Sequence, residues 1–265
     1  MDPPSPEEYI TLIGDSIIDN YPYVKGRGPC VLQQLWRKVD NHGKNWESKL
    51  LAVDGATTQE VLFQQIPRIP IPTTLLVIST GGNDGLKFID RHVSQFFIPC
   101  MWPSLLRKFT ANFRKSYESM ASNIDEIINP WTRVAVCTIY QPLWPLPIKK
   151  LITIALLYMN SVIREIAKKH GFHVIDLYYL FDNESDYANS IEPSWQGGDK
   201  LTHNIMQLIE KLRAEGNGTL LNMAEGGYHE AEYETECVDE YPQLWSELST
   251  RLKWDARDRQ MLGPD

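Results

Sequence analysis

The sequence predicts an α/β fold with a doubly wound, five-stranded parallel sheet, and three observations support this prediction. Apolar, β-branched runs alternate along the chain with amphipathic helical patterns. Short blocks that could carry chemistry directly follow these runs, as expected of sheets that bind ligands at the carboxyl ends of their strands. The composition, with 43% hydrophobic and 23% charged residues among 265, suits one such domain with an appendage.

Five apolar runs are predicted to be strands, and they lie at Tyr9–Ile13, Ser48–Val53, Thr73–Ser79, Arg133–Tyr140 and Phe172–Leu177. Helical patterns occupy the intervening and following segments, at about 28–40, 56–66, 104–128, 149–169 and 196–213. Strands that alternate with helices pair in parallel through right-handed crossovers and carry helices on both faces. We therefore predict the strand order 2-1-3-4-5.

The chain divides into three parts by composition: an N-terminal tail at 1–8, a domain at 9–215 and an acidic C-terminal extension at 216–265. The N-terminal tail is prolyl and acidic, which is unlike a secretory signal, so we expect a cytoplasmic protein. The longest apolar run, at 146–160, is short and contains Lys149 and Lys150. It predicts a buried helix rather than a membrane span.

The net charge of −8 disfavours a nucleic-acid or anionic-membrane partner, because phosphate binding needs a basic surface. A small neutral substrate is the expected partner, and the oligomeric state is left open. Cysteines stand far apart, at Cys30, Cys100, Cys137 and Cys237, without a CxxC pair. We therefore predict no structural metal, and we expect no cofactor.

Three residues at the predicted strand ends are suited to acyl transfer. Ser16 closes the run Gly14-Asp15-Ser16 after the first strand, where its hydroxyl would lie near a helix N-terminus. Gly55 follows the second strand and lets the backbone approach a ligand, while Asn83 follows the third and offers an amide donor. Each also has an ordinary explanation, since serine caps helices and glycine and asparagine are common in turns.

Together these residues resemble the signature of the SGNH/GDSL hydrolase family, which has a Gly-Asp-Ser block, a glycine block, a Gly-x-Asn-Asp block and a late Asp-x-x-His block. The first three occur in order, as Gly14-Asp15-Ser16, Ala52-Val53-Asp54-Gly55-Ala56 and Gly81-Gly82-Asn83-Asp84. The resemblance implies a flavodoxin-like three-layer fold with Ser16 as the nucleophile. It also implies an oxyanion hole made by the N–H groups of Ser16 and Gly55 and by the Asn83 side chain.

The fourth block departs from the family pattern. Where the family has Asp-x-x-His-Pro, this chain reads Asn189-Ser190-Ile191-Glu192-Pro193, so Glu192 replaces the histidine and Asn189 the aspartate. A neutral serine is a weak nucleophile without a base, so the departure bears on turnover rather than on the fold. Glu192 is a candidate base, because burial can raise a carboxyl pKa towards neutrality, and equally a candidate cap of the following helix.

Other polar residues have weaker assignments. Asp15, Thr57 and Asp84 are candidate substrate-binding residues, and the two aspartates are expected to anchor turns and loops rather than to carry protons. Asp176 ends the fifth strand and is the expected auxiliary carboxylate. His203 is not the expected base, because helical periodicity places it on the solvent side of its helix.

Two functions are compatible with these residues. The first is a serine hydrolase of the esterase type, which cleaves a small ester or acetylated substrate through an acyl-enzyme on Ser16, with a non-standard base or with Glu192. The second is a catalytically silent domain of the same fold that binds a ligand or partner in this pocket, and the missing histidine is its chief support. The intact set of Ser16, Gly55 and Asn83 favours the hydrolase.

Overall fold

A computed structural model describes residues 7–41, 45–92, 101–143 and 148–219 and contains one parallel sheet. Its strands are β1 (Glu8–Gly14), β2 (Trp46–Leu50), β3 (Leu75–Ser79), β4 (Arg133–Cys137) and β5 (His173–Ile175). The order is β2-β1-β3-β4-β5, which confirms the prediction. Because β1 and β3 pair side by side, the residues that follow them meet at the carboxyl edge of the sheet.

The helices are α1 (Tyr21–Val24), α2 (Val31–Asn41), α3 (Thr58–Glu60), α4 (Gly82–Arg91), α5 (Trp102–Ile127), α6 (Ile148–His170), α7 (Leu177–Leu180) and α8 (Trp195–Thr219). α3 continues into a π-helical turn at Val61–Gln65 and a 3₁₀ turn at Ile66–Arg68. One face of the sheet packs against α2 and α8, and the other packs against this continuation, α5 and α6. The result is the predicted three-layer arrangement.

Apolar spacing explains why these helices lie on the sheet. In α2, Val31 and Leu35 are four residues apart and fully buried, and in α8 Leu201, Ile205 and Ile209 repeat the same spacing. Residues separated by four positions lie on one face of a helix, so each helix presents an apolar stripe to the strands. Glycines at 197 and 198 lower the intrinsic helix propensity of the first turn of α8. Burial of the apolar stripe against the sheet is therefore the main source of stability for this helix.

The helix α4 is the main departure from the predicted elements. The glycine-rich block after β3 is predicted as a turn, whereas the structure begins a helix at Gly82. Glycine is a poor helix former, so residue propensity conceals this helix. Gly81 has a φ of 118°, a left-handed conformation that lets the chain pass from β3 into α4 within two residues.

Strand ends also differ from prediction, since β2 ends at Leu50 and β4 at Cys137, before the expected ends at Val53 and Tyr140. At the other end of the domain, α8 continues to Thr219, past the predicted boundary at 215. Most of the acidic extension, at 220–265, lies outside the described residues.

Within the described part of the chain, no helix is long and apolar enough to cross a membrane. Cys30 and Cys137 are buried free thiols, while Cys100 and Cys237 lie outside the described residues.

Candidate active site

Ser16, Asn83 and Glu192 line one cavity of about 130 Å³ at the carboxyl edge of the sheet. Ser16 comes from the turn after β1, Asn83 from the first turn of α4, and Glu192 from the loop before α8. Ser16 and Asn83 thus share one cleft and are not separated by packed core. The predicted sheet order requires this, because both residues follow neighbouring strands. The serine is 6% exposed, which leaves its hydroxyl accessible from the cavity alone.

The turn that presents Ser16 depends on a close approach of β1 to β3. Gly14 has a φ of 135°, and a Cβ added there would lie 1.9 Å from the Ser79 carbonyl oxygen. The next residue, Asp15, donates its backbone N–H to that same oxygen at 3.0 Å. No side chain larger than hydrogen fits at position 14, so the glycine sets the direction in which the chain leaves the strand.

Gln65 holds the same turn from the opposite side. Its Nε2 donates to the Gly14 carbonyl at 2.8 Å, and its Oε1 accepts from the Gly14 N–H at 2.7 Å. Gln65 is the last residue of the π-helical turn, a distortion that is frequent at functional sites. The sequence analysis missed this residue, because a lone glutamine 51 positions from its partner leaves no local signal.

Asn83 connects the third block to the second. Its Nδ2 donates to the Ala56 carbonyl at 3.1 Å, which places the Gly55 turn beside the start of α4. Gly55 has a φ of 80° and does not itself line the cavity. In the described chain, the backbone N–H groups of Ser16 and Gly55 have no protein acceptor, so both are free to donate to a ligand.

The loop that carries Glu192 is rigidly held. Asn189 Oδ1 accepts hydrogen bonds from the backbone N–H groups of Ile191 and Glu192, both at 2.9 Å. The Tyr140 hydroxyl donates to the Ile191 carbonyl at 2.6 Å. Asn189 therefore takes the place of the family's aspartate in the sequence but acts on the backbone of the loop, where it orients Glu192.

Asn20 joins this loop to the segment after Ser16. The Asn20 side chain is fully buried, and its Oδ1 accepts from the Val31 N–H at 2.8 Å. Its Nδ2 donates to the Pro193 carbonyl, next to Glu192, at 3.4 Å. This contact links the two loops that bring Ser16 and Glu192 together. The sequence analysis did not assign this supporting role to Asn20, nor a supporting role to Tyr140 or Gln65.

Burial raises the pKa of Glu192 above its ordinary value, and a hydrogen bond with the Ser16 side chain partly opposes this shift. The Glu192 Oε2 atom is buried without a hydrogen-bond partner among the described residues. Helix α8 is capped by Ser194, whose Oγ accepts from the N–H groups of Gln196 and Gly197 at 3.1 and 3.2 Å. Of the two roles considered for Glu192, the structure gives the cap of α8 to Ser194 and leaves the Glu192 carboxyl beside Ser16.

The three candidate substrate-binding residues separate in the structure. Asp15 lines the cavity, but Thr57 and Asp84 do not. Asp84 Oδ2 accepts from the Thr58 N–H and hydroxyl at 2.9 and 3.0 Å, which anchors the start of α3. Thr57 forms a capping box with Glu60 in the same helix. Their polar atoms are bonded to neighbouring residues, and neither side chain lines the cavity.

Asp176 is not an auxiliary carboxylate for Ser16. Its Oδ2 accepts from Arg164 at 2.8 Å and its Oδ1 from the Thr138 hydroxyl at 2.7 Å, and it does not line the cavity. The position at the end of β5 places it on the correct edge, but an arginine in α6 engages the carboxylate. His203 is exposed on α8 and lies away from the cavity, as expected.

Most of the remaining cavity wall is apolar and comes from α4, α5 and α6, with further residues from the loops after β1 and β4 and before α8. Prominent wall residues are Leu86, Phe88, Leu105, Phe109, Leu156 and Met159. The polar groups of the wall, Asp15, Ser16, Asn83 and Glu192, thus lie against a hydrophobic space. Among the described residues, no group of three or more His, Cys, Asp or Glu side chains is placed to hold a metal ion.

The sheet order and its flanking helices are those of the α/β fold of the GDSL/SGNH hydrolases. Residues 12–203 match the model of the GDSL-like lipase/acylhydrolase family. The match spans most of the chain and includes the segments that carry Ser16, Asn83 and Glu192. The chain belongs to the GDSL-like lipase/acylhydrolase family.

Solved structures show the same fold at low sequence identity. The lipase Lip_vut3 from a goat rumen metagenome is 20% identical, with a TM-score of 0.60 over 79% of this chain and 97% of that chain. A lipase/acylhydrolase from Enterococcus faecalis is 21% identical, with a TM-score of 0.56 over 77% and 96%. Phospholipase A1 from Streptomyces albidoflavus NA297 is 19% identical, with a TM-score of 0.54 over 74% and 98%. No curated protein sequence matches this chain.

Proposed function

We propose that this protein is a serine hydrolase of the esterase type in which Ser16 is the nucleophile and Glu192 is the general base. The observation that carries the proposal is the Glu192 carboxyl, which burial keeps at a raised pKa while it shares a hydrogen bond with the Ser16 side chain. A base must lie within hydrogen-bond reach of the proton it removes, and it works best with a pKa near the working pH. Glu192 interacts with the Ser16 side chain, and burial shifts its pKa upwards, in the direction that a base needs.

The reaction proceeds in two steps. In the first, Ser16 Oγ bonds to the carbonyl carbon of the ester while its proton passes to Glu192. The bond to the alcohol then breaks as Glu192 gives this proton to the departing oxygen. In the second step, water attacks the acyl-enzyme and loses a proton to Glu192, which returns it to Ser16 Oγ as the acid leaves.

Charge that develops on the carbonyl oxygen needs donors aimed at it. Three candidate donors are the N–H of Ser16, the N–H of Gly55 and the second hydrogen of the Asn83 amide, whose first hydrogen is directed to Ala56. The N–H groups have no other protein acceptor in the described chain. These donors support the oxyanion role that the family resemblance implies.

The apolar wall supports an acyl group longer than acetyl. The expectation from sequence is a small ester or acetylated substrate, but the cavity is lined by aliphatic and aromatic side chains from three helices. Burial of an alkyl chain there stabilises the complex by about 0.8 kcal/mol for each methylene group. We therefore propose esters with an apolar acyl chain of several carbons as the substrate class.

Ser16→Ala should abolish labelling by a fluorophosphonate probe and the hydrolysis of p-nitrophenyl hexanoate, because the hydroxyl that forms the acyl-enzyme in this mechanism is removed. Circular dichroism and thermal melting should be unchanged, since the hydroxyl borders a cavity. Labelling of the variant at the wild-type rate would exclude Ser16 as the nucleophile. Wild-type protein that is folded but does not react with the probe would favour the second function, a catalytically silent domain that binds a ligand or partner.

Asn83→Ala should lower turnover about 10²–10³-fold if the amide is an oxyanion donor. The substrate's KM should change much less, because the charge that the amide stabilises develops in the transition state. Thr58→Ala is the matched control, because it disturbs the neighbouring contact with Asp84 without removing a donor from the cavity. Equal losses of turnover in the two variants would assign Asn83 a structural role.

Glu192→Gln should lower turnover by about 10²–10⁴-fold, the usual contribution of a general base. In the wild type the base is active when ionised, so turnover should increase with pH through an ionisation above the ordinary glutamate value, because burial raises the pKa of Glu192. A pH series of initial rates measures this. Glu184→Gln, on an exposed residue of the same segment, is the control. An unchanged rate in Glu192→Gln would require another base.

Gly85→Leu should shift the preference towards shorter acyl chains, because the new side chain enters the cavity. A Cβ at this position would meet Met159 and Phe109 at 3.8 Å, so the backbone tolerates it while the longer side chain fills the space. Each methylene group that is no longer buried should lower kcat/KM about fourfold. The comparison uses p-nitrophenyl acetate, hexanoate and decanoate, with Asp90→Leu on the exposed face of α4 as the control. An unchanged chain-length profile would place the acyl group elsewhere.

A further inference from the structure

Asp15 stands next to the nucleophile and is only 1% exposed. Its Oδ1 accepts a hydrogen bond from the Ile17 N–H at 3.1 Å, and its side chain lines the same cavity as Ser16. The N–H groups of Ile17 and of Asp15 itself are a small complement for a buried carboxylate, which ordinarily needs a cation or more donors to remain ionised.

The groups that face Asp15 add no positive charge. They are the carboxyls of Glu192 and Asp84, the hydroxyls of Tyr117 and Tyr140, and the thiol of Cys137. No lysine, arginine or histidine of the described residues forms an ion pair with Asp15. Each neighbour is either an acid or a neutral group whose ionised form is negative. A charge on Asp15 would therefore be both desolvated and repelled.

We propose that Asp15 works as an uncharged carboxylic acid beside the nucleophile and that its ionisation switches turnover off. The activity part of this inference rests on the proposed hydrolase function, whereas the protonation state does not. Asp15 is thus more than the turn-anchoring residue expected from sequence, because the charge on its side chain decides whether the site can operate.

The chemistry of acyl transfer explains why the charge matters. Attack by Ser16 places a negative charge on the carbonyl oxygen, and a fixed carboxylate one residue away would repel it in a site with little water. An uncharged Asp15 avoids this repulsion and leaves Glu192 as the one carboxylate needed for proton transfer. Burial raises the pKa of Asp15 to about 8, so the neutral form predominates at neutral pH.

A linked effect on stability follows. The pKa of Asp15 is about 8 in the folded protein against an ordinary value of 3.8, so between these values the folded state holds a proton that the unfolded chain has released. The stability contributed by this proton is complete below the lower value and declines as the pH rises to the upper one. An asparagine at this position mimics the neutral acid without titrating.

The test compares wild type, Asp15→Asn and the control Asp54→Asn. The melting temperature and the rate of fluorophosphonate labelling are measured from about pH 5 to about pH 10, because a single ionisation changes a rate by about one decade per pH unit. We expect the melting temperature of Asp15→Asn to rise relative to wild type up to a pH of about 8 and to remain parallel above it. Wild-type labelling should fall about tenfold per pH unit above that value, and Asp15→Asn should lack this fall. Asp54 is an exposed carboxyl that does not line the cavity, so Asp54→Asn should retain the alkaline fall in labelling.

The two measurements separate the possible failures. Parallel melting profiles for Asp15→Asn and wild type over the whole range would overturn the neutral state of Asp15, even in a protein without hydrolase activity. A melting difference combined with an alkaline fall in labelling that survives in Asp15→Asn would overturn the switch alone. A wild-type protein that is never labelled would contradict the proposed function and, with it, the switch.

If Asp15→Asn fails to fold, the test is the pH titration of the carboxyl ¹³C NMR signals of wild-type protein labelled at aspartate. We expect a buried aspartate carboxyl that titrates near the pH at which labelling falls. Aspartates that all titrate below about pH 5, as ordinary ones do, would overturn the proposal. Labelling of aspartate alone excludes the signal of Glu192, and the spectrum of Asp84→Asn identifies the signal of Asp84, whose pKa is also raised by burial.

Discussion

The close approach of β1 to β3 at Gly14 is the constraint on which the site depends. With no side chain at this position, the backbone lies against the Ser79 carbonyl, and Gln65 bonds to both polar groups of the same residue. Buried backbone groups at a strand end must find partners, and here a glutamine side chain provides them. The direction of the next turn is thereby fixed, and Ser16 enters the cavity from it.

A second constraint unites the two ends of the domain. Ser16 and Glu192 are far apart in the chain, and their loops meet because the buried Asn20 side chain bonds to the carbonyl of Pro193. Tyr140 and Asn189 add hydrogen bonds to the backbone around Ile191. Preorganisation of this kind lowers the cost of reaching the reactive geometry, because little rearrangement is left for the moment of reaction.

Replacement of histidine by glutamate changes the electrostatics of the whole pocket. A histidine base is neutral before reaction and cationic after it, whereas a glutamate is anionic before and neutral after. With the glutamate base that we propose, the pocket starts with a negative charge, so other carboxyls nearby must be neutral or bonded to other groups. Asp84 accepts a hydrogen bond from Thr58, and Asp176 forms an ion pair with Arg164. Burial of Asp15 favours its protonated, uncharged form. This arrangement of acids suits the glutamate base that we propose.

The sequence by itself determined the sheet order, the position of Ser16 and Asn83 at strand ends, and the place of Glu192 in the fourth block. These features reside in local patterns: apolar alternation, helical spacing and short motifs that a single segment encodes. The glycines that begin α4 concealed a helix, because propensity is a weak local signal that tertiary packing overrides.

Only the tertiary structure decided which carboxyl faces the serine. Asp176 and Glu192 both follow elements that end at the active edge, but Arg164 of α6 pairs with the first, and the second points into the cavity. The charge state of Asp15 is decided in the same way, because a carboxyl pKa depends on burial and on neighbours that come from distant parts of the chain. Such through-space contacts have no counterpart in residue order, which is the physical reason that sequence alone could not settle them.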